Sequence, residues 1–275
     1  MSGAEQLPEG FVAARRGRTT LIEAARCAGE FAGAGLGSPE GWEQRLLGPA
    51  GAAGRGATAR VELAGGSVAR IKRLRRGGLG ASVWRGRFWG ARRLLDNLRL
   101  PIVAAERGVA TAAPLALLLQ SDRLGWVRAW LAVGEIEGAT DLRSRIAAGR
   151  PIGDELDATM RLVRRMHDRG VEHRDLNLGN LLVRGPAGAV EAFVVDLDRG
   201  RLHAGPLGFR ARRRGLRRME RSYVKACHPG RAADDLRTRI YSSYAAGDLP
   251  LARRLERGRG LGRIWIALHR LGWGR

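Results

Sequence analysis

Lysine is almost missing from this chain. Of 49 basic residues in 275, only Lys72 and Lys225 are lysines, and arginine supplies the rest. Cysteine is nearly as scarce: Cys27 and Cys227 stand alone, with no CxxC pair or His/Cys cluster. That excludes a disulfide framework and a zinc site, and leaves two reduced thiols of a cytosolic protein. Aromatics make up only 5% of the residues. No Arg-flanked apolar segment opens the chain, so a signal peptide is not expected. The longest apolar stretch, Leu98–Leu119, is interrupted by Arg99, Glu106 and Arg107 and holds Pro101 and Pro114, which excludes a membrane span. The expectation is a cytoplasmic protein, soluble or peripheral.

Acidic residues are also under-represented. Against 49 Lys+Arg there are 27 Asp+Glu, a formal net charge of +22. Such a field suits nucleic acid, an anionic membrane leaflet or an acidic substrate. No helix-turn-helix, zinc-finger or RNA-binding aromatic signature is present, so nucleic acid is not an expected partner. The densest clusters are Arg70–Arg76, Arg210–Arg221 and Arg253–Arg263, and Arg212, Arg213 and Arg214 are expected to face an anionic surface. With 44% hydrophobic residues the chain has material for a core, as one large domain or two lobes.

The segment from His173 to Val183 reads H-R-D-L-N-L-G-N-L-L-V, and the later Val194-Val195-Asp196-Leu197-Asp198 places Asp196 sixteen residues after Asn180. This is H-R-D-x-x-x-x-N, then an apolar strand and an acid, the order in which a kinase-type fold places a catalytic carboxylate and two metal ligands around a nucleotide γ-phosphate. Asp175 is the expected catalytic group, orienting the acceptor hydroxyl and taking its proton. Asn180 and Asp196 are the expected ligands of Mg²⁺, which favours oxygen donors.

The first half supplies matching parts. Val68-Ala69-Arg70-Ile71-Lys72 resembles the V-A-I-K strand end, making Lys72 the expected contact to the ATP phosphates. Upstream, Gly54 and Gly56 open a G-x-G-x-x-A-x-V loop of phosphate-covering type, followed by a hairpin turning at Ala64–Ser67. A helix from Trp89 to Leu98 carries Leu94, Leu95 and Leu98 on one face, and Asp96 is the favoured acid to pair with Lys72. Leu115–Leu119 and Trp126–Val133 read as strands. Gly134 to Gly138 read as the hinge, with Glu135 and Ile136 expected to meet the adenine edge. Asp154–Arg169 is an amphipathic helix stopping at Gly170. His173 is expected to prop the catalytic loop, and His167 to pack.

These segments resemble the bacterial lipopolysaccharide-core kinases, and their Kdo-kinase branch most. Met166–Asn177, Asn180–Val183, Asp196–Arg201, Arg75-Arg76-Gly77-Gly78 and Arg221-Ser222-Tyr223-Val224-Lys225 carry the likeness, over roughly residues 50–226. The resemblance implies an α+β, bilobal protein-kinase-like fold and ATP-dependent phosphorylation of 3-deoxy-D-manno-octulosonic acid (Kdo) on lipid A. It also implies an anionic glycolipid substrate and a place at the cytoplasmic face of the inner membrane. Arg174 stands where that branch often has Ala, and no A-P-E segment follows Asp196.

The expected organisation is an extension over residues 1–45 without an assigned role, a β-rich lobe over 46–134, and a mostly helical lobe over 135–275 ending in basic helices. Two other functions stay open: a kinase-fold phosphotransferase for a small molecule or protein Ser/Thr, and a non-catalytic kinase-fold binding module.

Overall fold

Alternating apolar residues build the first half of the molecule, and a 3.6-residue apolar period builds the second. The computed structural model describes residues 6–48, 58–75, 86–150, 152–226 and 233–257. The chain divides into two units, residues 1–103 with 112–136, and residues 104–111 with 137–275.

The first unit is a seven-stranded antiparallel sheet. Its strands are β1 (Phe11–Arg16), β2 (Thr19–Ala24), β3 (Thr58–Glu62), β4 (Val68–Arg73), β5 (Phe88–Trp89), β6 (Pro114–Ser121) and β7 (Trp126–Gly134). The order is β1-β2-β6-β7-β4-β3, with β5 also pairing β7. Both faces are covered. Phe31, Leu36 and Trp42, from the segment after β2 and from helix α1 (Pro39–Leu47), pack with Ala59, Val61, Ile71, Leu118 and Trp130. Helix α2 (Arg92–Glu106) brings Leu94, Leu95 and Leu98 against Leu117, Ala129 and Leu131 on the other face. Residues 6–45 are therefore part of this unit: β2 pairs with the central β6, and Trp42 is fully buried with its Nε1–H on the Leu36 carbonyl at 2.7 Å.

The second unit is mostly helical. It holds β8 (Thr140–Asp141), α3 (Leu142–Ala147), α4 (Gly153–Asp168), β9 (Val171–Glu172), β10 (Leu181–Arg184), β11 (Glu191–Val194), β12 (Arg201–Leu202), α5 (Phe209–Ala226), α6 (Ala233–Ala245) and α7 (Leu249–Arg257). Asp141 caps α3 by accepting the Ser144 N–H at 3.0 Å. Leu156, Met160, Val163 and Met166 form the buried stripe of α4. At Gly170 the backbone takes φ +72°, and a Cβ would stand 2.6 Å from the Gly205 carbonyl oxygen, so glycine is required on both counts.

The division between units falls after Ile136, two residues beyond the expected one. Together they form an α+β protein with a sheet-rich first unit and a helical second one, as expected for a kinase-like fold.

Candidate active site

The loop between β9 and β10 carries Asp175, and it is held by its own residues. His173 is buried; its Nδ1 accepts the Asp175 N–H at 3.1 Å and its Nε2 lies 3.0 Å from the Val195 carbonyl oxygen. Asn177 and Asn180 both donate their side-chain Nδ2 to the Asp175 carbonyl, each at 2.9 Å. Asn177 Oδ1 accepts the Gly179 N–H at 2.9 Å, capping the 3₁₀ turn Leu178–Asn180. Leu176 and Leu178 are buried, which pins the loop between anchors and leaves the Asp175 side chain exposed. This asparagine spacing is what the sequence pattern encodes.

Asp196 is tied to the same loop through its neighbour. The Val195 N–H donates to the Asn180 carbonyl at 2.9 Å, while the Val195 carbonyl meets His173. Asp196 itself is exposed and takes φ +65°, one of two non-glycine residues with positive φ among those described. A non-glycine residue in this region costs conformational energy and marks a place where the surroundings dictate the side-chain direction. Asn180 commits Nδ2 to Asp175, so its Oδ1 is the atom left for a metal. An amide oxygen and a carboxylate form a hard donor set that fits Mg²⁺, which takes one or two protein oxygens and completes its shell with water and phosphate. Among the described residues no cluster of three or more His, Cys, Asp or Glu forms a closed metal cage. Asp198 lies in the turn Leu197–Gly200, closed by a 2.7 Å bond.

In the first unit, Lys72 pairs across the sheet with Leu131, so it shares the face that α2 covers. Asp96 is not the acid turned to that face. It is exposed on α2, 3.9 Å from Arg99, because at 100° per residue it lies about 200° from Leu94 on the buried side. Glu106, the other acid of α2, is exposed as well.

At the exit of β7, the Glu135 N–H is already spent on the Val68 carbonyl at 2.8 Å, leaving its carbonyl as the backbone group available to a base. Its carboxylate accepts from Arg60 at 2.8 Å and from Arg70 at 2.6 Å. Burial pushes Glu135 up, but the hydrogen bonds from Arg70 and Arg60 outweigh it and hold the carboxyl below its ordinary range. Sequence reasoning missed this pairing, although Arg60 and Arg70 are directly opposed in the β3–β4 register. Ile136 closes the first unit. Gly54 and Gly56 lie outside the described residues, as do residues 258–263 of the last arginine cluster.

One expected surface cation is internal. Arg212 is buried, with Nε on the Leu207 carbonyl at 2.6 Å and Nη1 2.5 Å from Asp168 and 3.3 Å from the Tyr244 hydroxyl. It ties α5 to α4 and α6 and cannot face a membrane. Glu172, on β9, accepts from Arg214 at 2.8 Å and meets His203 at 3.0 Å.

A sequence profile of the lipopolysaccharide kinase (Kdo/WaaP) family matches residues 53–240. A 3-deoxy-D-manno-octulosonic acid kinase of Xanthomonas axonopodis pv. citri is 34% identical over 199 residues, covering 70% of this chain and 76% of that protein. One of Stenotrophomonas maltophilia is 31% identical over 198 residues, covering 70% and 75%. A solved structure of WaaP in complex with acyl carrier protein is similar with a TM-score of 0.49 and 21% identity, over 75% of this chain and 85% of that one. The chain belongs to the lipopolysaccharide kinase (Kdo/WaaP) family and is an ATP-using kinase.

Proposed function

We propose that this enzyme transfers the γ-phosphoryl group of ATP to a sugar hydroxyl of a lipopolysaccharide precursor, Kdo on lipid A. The observation that carries the reading is the loop in which His173, Asn177 and Asn180 fix the backbone of Asp175 while its carboxylate stays exposed. Relatives bearing the name 3-deoxy-D-manno-octulosonic acid kinase support the acceptor class.

Asp175 is the catalytic residue. It accepts the proton of the acceptor hydroxyl as that oxygen bonds to phosphorus and the bond to the ADP oxygen breaks. Asn180, through Oδ1, and Asp196 would hold Mg²⁺, which neutralises charge developing on the phosphates. Lys72 brings an ammonium to the phosphates from its own unit. Gly54 and Gly56 are assigned to the loop over them, and Glu135 and Ile136 to the base.

The acceptor is an anionic glycolipid, and the enzyme works peripherally at the cytoplasmic face of the inner membrane. The +22 charge supports this placement, since basic residues near an anionic leaflet each contribute about 1 kcal/mol. Among the described residues no helix is long and apolar enough to cross a membrane.

The test is an acceptor screen with ATP and Mg²⁺, in which Kdo-lipid A is offered beside neutral sugars, aminoglycosides and a Ser/Thr protein. Phosphate on the Kdo moiety is the expected product. Turnover confined to a neutral sugar, an aminoglycoside or a protein would overturn the acceptor assignment, and no transfer to any acceptor would leave a binding module.

A further inference from the structure

Helix α5 lays a strip of arginines beside the loop that carries Asp175. At 100° per residue, Arg214, Arg217, Arg218, Arg221 and Lys225 fall on one side, while Leu216, Met219 and Tyr223 are buried on the other. Three contacts spaced one helical turn apart dock this side on the loop. Arg214 donates to Glu172 at 2.8 Å, Arg218 Nη1 donates to the Arg174 carbonyl, and Ser222 Oγ accepts the Leu178 N–H at 3.2 Å. Residues 172, 174 and 178 bracket Asp175, so the strip runs past the reacting carboxylate.

Glu172 answers Arg214, and Glu220, the acid on α5, accepts from the Tyr241 hydroxyl at 2.9 Å. Arg218 is partly buried, which lowers its pKa, and Arg214, Arg221 and Arg174 lower it further by repulsion, with Asp175 acting the other way. Guanidiniums crowded at a partly desolvated surface repel one another, and a bound anion would remove that cost.

We propose that Arg218 and Arg221, together with Arg174, form an anion site for the acceptor, holding a carboxylate or phosphate of the substrate next to the hydroxyl that Asp175 deprotonates. This rests on the kinase reading above and names what selects the acceptor. A planar guanidinium fork binds such groups in a bidentate manner, which fixes orientation as well as charge. A neutral sugar or a protein serine would leave the arginines unmet.

The experiment compares wild type with the double variant Arg218→Gln/Arg221→Gln on three acceptors: Kdo-lipid A, its Kdo methyl ester, and its lipid A-dephosphorylated form. The double variant should raise KM for Kdo-lipid A by about ten- to a hundredfold, with KM for ATP within about twofold. On wild type, the acceptor lacking the recognised anion should show the same loss, and the double variant should then add little to it. That pattern also decides between the Kdo carboxylate and the lipid phosphate. Equal losses on all three acceptors would overturn the site.

A second arm needs no turnover. Inorganic phosphate without Mg²⁺ should raise the thermal midpoint of wild type above chloride at equal ionic strength. The double variant should lose the shift and Lys72→Ala should keep it. A phosphate shift without transfer to Kdo-lipid A would count against the acceptor assignment while supporting the site. Its absence in wild type, or its loss in Lys72→Ala, would overturn the site.

Discussion

His173 holds Asp175 by the backbone: the imidazole Nδ1 accepts the Asp175 N–H at 3.1 Å. A ring nitrogen that accepts an amide hydrogen carries no proton, so Nε2 is the protonated one and donates to the Val195 carbonyl at 3.0 Å. One neutral imidazole thereby holds both the Asp175 backbone and the residue preceding Asp196.

Asp175→Asn should keep the loop, because the loop is held through the Asp175 backbone. It should lose about 10²–10⁴-fold in kcat with ATP binding retained, the range of general-base assistance. His173→Phe removes both ring bonds and should also lower kcat, and adding it to Asp175→Asn should cost little more, because the two act as a unit. Steady-state rates of the two single variants and the double variant check this. Turnover of Asp175→Asn like that of wild type would assign the base elsewhere.

Asp196→Ala and Asn180→Ala should weaken Mg²⁺-dependent turnover, with excess Mg²⁺ partly restoring Asn180→Ala, since Asn180 contributes a neutral amide oxygen. Lys72→Ala should impair placement of the phosphates. Thermal protection by Mg·ATP follows occupancy, so its midpoint shift should shrink in all three. Equal protection in wild type and variants would place the nucleotide elsewhere.

The conformation of the loop around Asp175 was legible because it is set by local spacing: Asn177 and Asn180 reach back only two and five residues to the Asp175 carbonyl. Helix α4 was legible because its apolar period is strict. The role of the first 45 residues was not, since β2 finds its partner in β6, about a hundred residues away in sequence. Arg212 was misread because a run of arginines does not say which one turns inward, and its partners Asp168 and Tyr244 come from other helices. The outward position of Asp96 could have been read, as it stands off the Leu94–Leu98 face on a helical wheel.

Arg212→Met should destabilise the protein by about 2–4 kcal/mol. It removes bonds to Asp168, the Leu207 carbonyl and Tyr244 that join three helices, and bonds to charged groups are the costly ones. Arg210→Met, two positions away and exposed, should stay within about 0.5 kcal/mol. Urea unfolding of the two variants separates a core arginine from a surface one. A result of equal size for both would show that the Arg212 bonds contribute nothing net.

The same helix junction should make stability acid-sensitive in a defined window. His167 is buried with Nδ1 2.8 Å from the Tyr244 hydroxyl, and burial, helped by the nearby Arg212 charge, pushes its pKa down to about 3 from 6.5. Between those values the unfolded chain binds a proton that the folded one does not. The stability this residue supplies is therefore complete above the unfolded value and is lost as pH falls from about 6.5 toward 3. Between pH 7 and 5 the loss amounts to about 2 kcal/mol, at ~1.4 kcal/mol per unit of proton linkage. Glu135, Asp157 and Glu172, whose folded pKa values are depressed, act in the same direction but below the ordinary carboxylate range. The stretch from about pH 5 to 6.5 thus lies above the range of these carboxylates. Replacing His167 with Gln, which can still bond Tyr244, should make that stretch shallower while leaving the steeper fall at lower pH. An unchanged slope between pH 5 and 6.5 in His167→Gln would assign the acid sensitivity to another group.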